Sequence, residues 1–287
     1  MISIIIIVKN DVRIKKLLEK LAKIKHAEKN EIIVVDASNG ALDEIKHAYT
    51  AVTWIYFSNK TNKKRTYSEQ RNIGIKAASG DILVFIDADC IPDTNWLDNL
   101  LQPIYEEHEN IVSGAIRPID KNYIHKEEHH GKYRIECETM NLALTKRVVT
   151  SVGLFDESME GCEDSDYCIR AGAKGYKIRF QPRAFIYHDW GGFMANINRS
   201  FNGGKDRATL YKKYPQMLFS FSINNIYTLF YLIYILCLSI APYYPVYLLI
   251  LFIPSIVKRR NPLKEIFNLA FSFGLIFKTT SYFVNSK

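Results

Sequence analysis

The chain opens with a run of β-branched residues, Ile2–Val8, interrupted only by Ser3 and closed by the polar Lys9-Asn10-Asp11. An apolar run without polar alternation predicts a strand covered on both faces. Ile14, Leu17, Leu18, Leu21 and Ile24 then recur at helical spacing. Glu31–Val35 predicts a second buried strand, ending at Asp36 and the turn-forming Ser38-Asn39-Gly40. A short helix is expected over Leu42–Ala48 and a third strand over Val52–Phe57. Tyr67–Ala78 predicts a helix stopped by Ser79-Gly80, with the glycine as its C-terminal cap. A fourth strand, Ile82–Ile86, runs straight into Asp87-Ala88-Asp89. Strands alternating with helices predict an α/β fold with right-handed crossovers and a mainly parallel sheet. In such sheets the ligand crevice lies at the carboxyl ends of the strands, where Asp36 and Asp87 both stand.

The pattern changes after residue 212. From Tyr214 to Val257 no Asp, Glu, Lys or Arg occurs in 44 consecutive residues. Soluble helices seldom avoid charge on every face, so the segment reads as membrane helices sooner than buried ones. A spanning helix needs about 20 residues, with ~17 as the lower limit. Residues 223–241 meet that length and 243–257 fall slightly short, with Pro242-Tyr243-Tyr244-Pro245 as the turn and its tyrosines at headgroup level. Lys258-Arg259-Arg260 places the return end in the cytoplasm. Residues 265–284 are apolar but contain Lys278, and are expected to span or to lie in the interface. Ile2–Val8 is too short for a signal-peptide core, so residues 1–212 are expected as a cytoplasmic domain carried by an integral membrane region, 213–287.

Composition narrows the class. Of 287 residues 48% are hydrophobic and 24% charged, with 14 Gly and 9 Pro, which excludes disordered, collagen-like and low-complexity chains. Five cysteines without a CxxC pair argue against a zinc ribbon or a disulfide framework. The net charge is +8, but residues 258–287 hold six Lys/Arg and one Glu, hence +5, leaving +3 for the rest. A basic end on a nearly balanced body points to membrane lipids rather than nucleic acid. No GxGxxG follows the first strand and no GxxxxGK[ST] occurs, which disfavours dinucleotide redox chemistry and P-loop phosphoryl transfer.

Two acidic clusters carry the candidate chemistry. Asp87 and Asp89, where a buried strand enters a loop, are oxygen ligands suited to a hard divalent cation, Mg²⁺ or Mn²⁺, shared with a diphosphate. Glu163-Asp164-Ser165-Asp166 opens a predicted helix. Its plain reading is an acidic first turn that complements the helix dipole, and its functional reading is a general base. His188, after the strand-like Ala184–Tyr187, is a candidate further metal ligand. Lys205 and Arg207 in Asn202–Arg207 are either contacts for lipid phosphate or plain surface charge.

Together these segments resemble family 2 glycosyltransferases, inverting nucleotide-sugar enzymes of GT-A fold, over roughly residues 1–210. The markers are Val8-Lys9-Asn10, Glu31–Asp36, Gln70–Ile75 with Ala77–Asp81, Phe85–Asp89, Asn141–Leu144, Val152–Glu157 and Glu163–Asp166 with Arg170. The resemblance implies that Asp36 contacts the nucleotide base and that Arg71 lies near the phosphates. Asp87 would hold ribose or metal, Asp89 would ligate the metal, His188 would complete its shell and Asp164 would be the base. It adds Val8, Asn10 and Ala88 to the donor side, and Asn141, Glu163, Asp166 and Trp190 to the acceptor or sugar side. Ala37 stands where the family often has a second Asp, and Lys9-Asn10-Asp11 replaces the usual opening loop, so base recognition is expected to differ in detail. No Gln-x-x-Arg-Trp motif occurs, which favours a single addition over processive synthesis. The expected function is sugar transfer from a nucleotide sugar, UDP-linked by preference, to a membrane-associated, polyprenyl-linked glycan acceptor. The alternative is a polyprenyl-phosphate sugar synthase using GDP-mannose or UDP-glucose. A nucleotidyltransferase would carry glycines after the first strand, and a non-catalytic membrane adaptor has no use for acidic clusters at three element ends.

Overall fold

The computed structural model describes residues 1–24, 26, 28–60, 63–120, 131–217, 226–238, 241–258 and 261–284. The described residues up to Asp189 form one compact unit and those from Trp190 onward a second.

In the first unit, β1 (Ile2–Val8), β2 (Asn30–Asp36), β3 (Thr53–Tyr56) and β4 (Ile82–Ile86) fall where the apolar runs place them. Their order is β3-β2-β1-β4 and every pairing among them is parallel. Helices α1 (Ile14–Leu21), α2 (Asp43–Ala48) and α3 (Tyr67–Ala77) make the crossovers. α1 buries Ile14, Leu17, Leu18 and Leu21, the residues its spacing singled out. Ser3 is fully buried in β1: its hydroxyl donates to Glu31 Oε1 at 2.6 Å and accepts from the Gly80 amide at 2.8 Å. Gly80 is therefore not the cap of α3. A Cβ there would lie 2.6 Å from Ser3 Oγ and 2.8 Å from Met1 O, so the glycine is needed for close passage over the start of β1.

The rest of the sheet departs from the mainly parallel expectation. β5 (Cys90–Pro92), β6 (Ile111–Pro118), β7 (Tyr133–Arg134), β8 (Asn141–Thr145) and β9 (Ile178–His188) extend it as β4-β8-β6-β9-β5, with β7 also on β9. β8 is antiparallel to both β4 and β6, and β9 is parallel to β6 but antiparallel to β5 and β7. The sheet is thus mixed, because β8 enters it from the opposite end to β4. Three further helices, α4 (Trp96–Glu106), α5 (Lys146–Val152) and α6 (Glu163–Ala173), complete the unit. Ile5, Ile33, Val35, Phe85, Leu142, Leu144 and Phe155 meet in its core, each side chain contributing about 1.5–3 kcal/mol by burial.

β6 and β9 pair Gly114 with Gln181 and then Ala115 with Phe185, so residues 182–184 of β9 have no β6 partner. Pro182 has no amide hydrogen to offer the ladder, which explains a bulge at this place. Asn141 bridges the gap: its Nδ2 donates to the carbonyls of Ala115 and Ala184, both at 2.9 Å, while its Oδ1 accepts from Trp96 Nε1 at 2.8 Å.

The second unit contains α7 (Phe193–Lys213), α8 (Ile226–Leu236), a 3₁₀ segment Pro245–Phe252, α9 (Ile253–Lys258) and α10 (Leu263–Val284). No helix among the described residues is long and apolar enough to cross a membrane. The expected span 243–257 is instead a 3₁₀ segment followed by a short helix, starting at Pro245. Of the expected span 223–241, residues 223–225, 239 and 240 lie outside the described ones, and 226–236 are helical. Asn202–Arg207 is part of α7. A Cβ on Gly204 would fall 1.9 Å from Phe271 O, and one on Gly274 would fall 1.9 Å from Phe201 O, so these glycines let α7 and α10 touch backbone to backbone. Glu265 of α10 is wholly buried, bonded by the hydroxyls of Tyr231 and Ser255.

Candidate active site

Parallel pairing of β1 with β4 brings their carboxyl ends together, and a cavity of about 330 Å³ opens there. Ile7, Val8, Lys9 and Asp11 line it from β1 and the following loop, and Asp87, Ala88 and Asp89 from the end of β4. Lys64, Arg65, Thr66, Tyr67 and Gln70 close it from the start of α3. Acidic and basic groups therefore face one space, as a cation and a diphosphate together require.

Asp36 ends β2 opposite Val8 and is buried. Its carboxylate accepts from the Ser38 amide at 2.7 Å and from Trp54 Nε1 at 3.0 Å. Ser38 Oγ in turn accepts from the Asn10 amide at 2.7 Å. Asn10 has φ +54°, a left-handed conformation that Asn tolerates, and so turns the loop over the strand end. Asp36, Ser38 and Asn10 are thus linked by hydrogen bonds beside the end of β1, but none of the three lines the cavity itself.

Asp87 and Asp89 differ in electrostatics. Burial pushes the Asp87 carboxyl up, opposed by Arg71, whose Nη2 lies 3.7 Å from Asp87 Oδ1. Burial also acts on Asp89, but the hydrogen bond from His188 and the charge of Arg13 hold it below the usual carboxylate range. His188 Nε2 lies 3.1 Å and Arg13 Nη2 3.3 Å from Asp89 Oδ2. Arg13 also pairs with Asp11 at 2.6 Å, and this hydrogen bond lowers the Asp11 pKa. The ligand atoms of Asp89, Cys90 and His188 all lie within 4.8 Å of one another, the metal-competent cluster among the described residues.

Arg71, buried on α3, joins this end of the sheet to α6 by pairing with Glu163. Desolvation disfavours its charge, but Glu163 and Asp87 outweigh that and raise its pKa. α6 begins at Glu163, as its acidic first turn predicts, and Cys162 before it has φ +56°. Asp164, one residue on, is only partly accessible; burial and the neighbouring Glu163 push its carboxyl up to about 7, against the Ser165 amide and Arg71. A carboxylate poised there can accept a proton near neutral pH.

The structure thus gathers Val8, Asp87, Ala88 and Asp89 around the cavity, with His188 on Asp89 and Asp164 tied in through Glu163 and Arg71. The other expected site residues do not line the cavity. Asn141 is the bridge at the β9 bulge. Glu163 faces Arg71, and Asp166 is buried against Arg170 at 2.8 Å. Trp190 belongs to the second unit, with the Arg199 guanidinium 5.1 Å from its ring centroid. Sequence reading missed Asp11, Arg13, Lys64, Arg65 and Cys90. The Lys63-Lys64-Arg65 triplet directly before a helix was a readable signal for a phosphate-facing loop, whereas Arg13 is visible only once β5 and β9 are folded against the opening loop.

Residues 3–155, just over half the chain, match the model of "Glycosyl transferase family 2". Glycosyltransferase AglE of Haloferax volcanii is 25% identical over 258 residues, covering 85% of this chain and 83% of that protein. The mannosyltransferase PcManGT of Pyrobaculum calidifontis, solved in complex with GDP-Man and Mn²⁺, superposes with a TM-score of 0.72 at 16% identity, covering 97% of this chain and 86% of its own. TarS of S. aureus, solved with UDP-GlcNAc, gives a TM-score of 0.55 at 17% identity over 69% of this chain, which spans 65% of that one. The crevice at the strand ends, its paired carboxylates and the acidic start of α6 thus lie in a chain that belongs to glycosyl transferase family 2.

Proposed function

We propose that the chain moves one sugar, with inversion, from a nucleotide sugar to a hydroxyl or phosphate of a lipid-linked acceptor at a membrane surface. The observation that carries this reading is the 330 Å³ cavity, lined by Asp87 and Asp89 on one side and by Lys64 and Arg65 on the other. The donor's diphosphate lies between these groups, and the loop framed by Asp36, Ser38 and Asn10 borders the base. Asp89 and His188, with Asp87 beside them, would hold a divalent cation, Mg²⁺ or Mn²⁺, which supplies neutralisation of the charge left on the diphosphate. Asp164 takes the proton of the attacking acceptor oxygen. That oxygen bonds to the anomeric carbon from the face opposite the diphosphate, and the bond to the diphosphate oxygen breaks. The nucleoside diphosphate leaves and the anomeric configuration inverts.

UDP-linked donors are the first reading. The TM-score of 0.72 to a chain solved with GDP-Man favours keeping the second, transfer from GDP-mannose onto a polyprenyl phosphate. Calorimetry with UDP and with GDP, in Mn²⁺ and in EDTA, separates them. One nucleotide is expected to bind at least ~10-fold more tightly with metal, and Asp89→Ala is expected to remove that gain. Equal affinities in EDTA would overturn the metal-held diphosphate.

The membrane part of the proposal rests on the second unit. Leu236, Tyr243, Tyr244, Leu249, Ile256 and Val257 are all exposed there, an apolar surface that suits insertion into the headgroup region. A cavity of about 470 Å³ within the same unit, lined by Tyr211, Leu232, Leu275 and Ile276 with Lys212 on its wall, suits a hydrocarbon chain below a phosphate. The protein is expected to float with liposomes containing anionic lipid, and Leu249→Glu with Ile256→Glu to abolish flotation. Nucleotide sugars place the catalytic unit on the cytoplasmic face, so protease applied to intact cells should leave it whole. Flotation unaffected by the two substitutions would remove the interfacial anchor, and external digestion would reverse the topology.

A further inference from the structure

Cys90 follows Asp89 directly and begins β5, where its Cα partner on β9 is His188. Residues directly opposite in an antiparallel pair project to the same face. The thiol and the imidazole therefore stand side by side, and Cys90 Sγ lies 3.8 Å from Asp89 Oδ1. Cys90 and His188 are 1% and 7% exposed, whereas Asp89 also lines the cavity. One sulfur, one nitrogen and one oxygen thus fall within 4.8 Å of one another. Around a tetrahedral ion, bonds of about 2.0–2.3 Å put such ligands roughly 3.3–3.8 Å apart. The cluster is therefore within small side-chain rotations of a three-ligand site with a further position open to the cavity.

We propose that Cys90 is a third protein ligand at this metal site and sets its selectivity, turning it toward thiolate-accepting dications, Zn²⁺ above all, and away from Mg²⁺. Mg²⁺ demands near-octahedral oxygen ligation and gives up water reluctantly, so a sulfur and an imidazole nitrogen offer it little. Thiolate and imidazole suit Zn²⁺ and Co²⁺, which also lie higher than Mn²⁺ in the general order of affinities. On binding, Sγ exchanges its proton for the metal and the proton passes to solvent. Arg13, now paired with Asp89, gives up that carboxylate oxygen while keeping Asp11. Zn²⁺ held by three protein ligands would then compete with the cation that serves the donor.

The inference rests on Asp89 and His188 being the metal pair of the proposed transferase. Its test uses metal alone, without nucleotide or acceptor, so that its failure and a failure of donor binding read out separately. Titrating the full-length protein with Co²⁺ is expected to produce a thiolate-to-metal charge-transfer absorption that saturates at one equivalent. Cys90→Ser is expected to remove the band and to weaken Co²⁺ and Zn²⁺ binding at least ~10-fold, with Mg²⁺ binding unchanged. Cys162→Ser should leave the band intact. A second measurement covers the case in which a Cys90 variant does not fold. Zinc X-ray absorption on the unaltered protein is expected to show a single sulfur at about 2.3 Å. A shell of nitrogen and oxygen alone would overturn the proposal. So would two sulfurs, which would point instead to Cys137 and Cys168, whose Sγ atoms lie 3.7 Å apart. Persistence of the cobalt band in a folded Cys90→Ser protein would overturn it as well.

Discussion

Asp164→Asn is expected to bind the donor with unchanged affinity and to transfer sugar at least ~100-fold more slowly, because an amide cannot take the acceptor's proton. The pH profile checks the same assignment. With the Asp164 carboxyl pushed up to about 7, turnover should rise tenfold per pH unit below that value and level off above it. The shift also has a sign in stability. An unfolded Asp titrates near ~3.9, so the folded state holds this proton more tightly than the unfolded one. Stability from the group is complete below about pH 4 and is lost as pH rises through about 7. Asp164→Asn should therefore melt at a higher temperature than the unaltered chain at pH 8, and the gap should close on acidification. Slow transfer without that gain in stability would point to damaged geometry, and near-normal turnover would leave Asp164 as part of an acidic helix start.

Arg71→Ala is expected to be the most destabilising single change around the crevice. Arg71 and Glu163 are 5% and 7% exposed, and removing the guanidinium strands a buried carboxylate and leaves Asp87 beside Asp89 without its counter-charge. Breaking one side of a buried pair costs about 3–5 kcal/mol, and for a chain of this size that lowers the melting temperature by roughly 10 °C. Arg71→Lys, which keeps the charge but not the fork, should fall between. Where enough folded Arg71→Lys protein remains, the activity midpoint should stay near that of the unaltered chain, since Arg71 opposes the upward shift of Asp164 through its charge, which Lys keeps. A loss below ~1 kcal/mol by urea unfolding would mean that the Arg71–Glu163 pair adds little net stability over its two separated groups.

The parts legible in the sequence were those written in local patterns. β1, β4 and α6 are each carried by a contiguous run, an apolar strand core or an acidic first turn, and so were placed to within a residue. β8 looks like any short apolar strand, and nothing local says that it enters antiparallel; only its pairing with Phe85 and Ser113 settles that. The resemblance put Asn141 on the acceptor or sugar side, whereas its amide is held by two carbonyls supplied by residues 26 and 43 positions away, which no local pattern shows. The expected span 243–257 differs from the structure for a related reason. Absence of charge does not fix the type of helix, and there Pro245 opens a 3₁₀ segment that passes into the short α9, with Leu249, Ile256 and Val257 exposed. Cys90 escaped notice because its meaning lies in its cross-strand neighbour.

The bulge at residues 182–184 has a consequence for how this chain tolerates change in length. Beyond it, Phe185–His188 re-enter the ladder in a register that sets His188 opposite Cys90 and against Asp89. Side chains alternate across a strand, so one residue added or removed here would carry His188 to the other face of the sheet while leaving most backbone pairs to reform. The segment between Gln181 and Phe185 thus acts as a ratchet tooth. Its exposed Arg183 can vary in identity, yet single-residue insertions and deletions there should be purged in descendants that still need a cation.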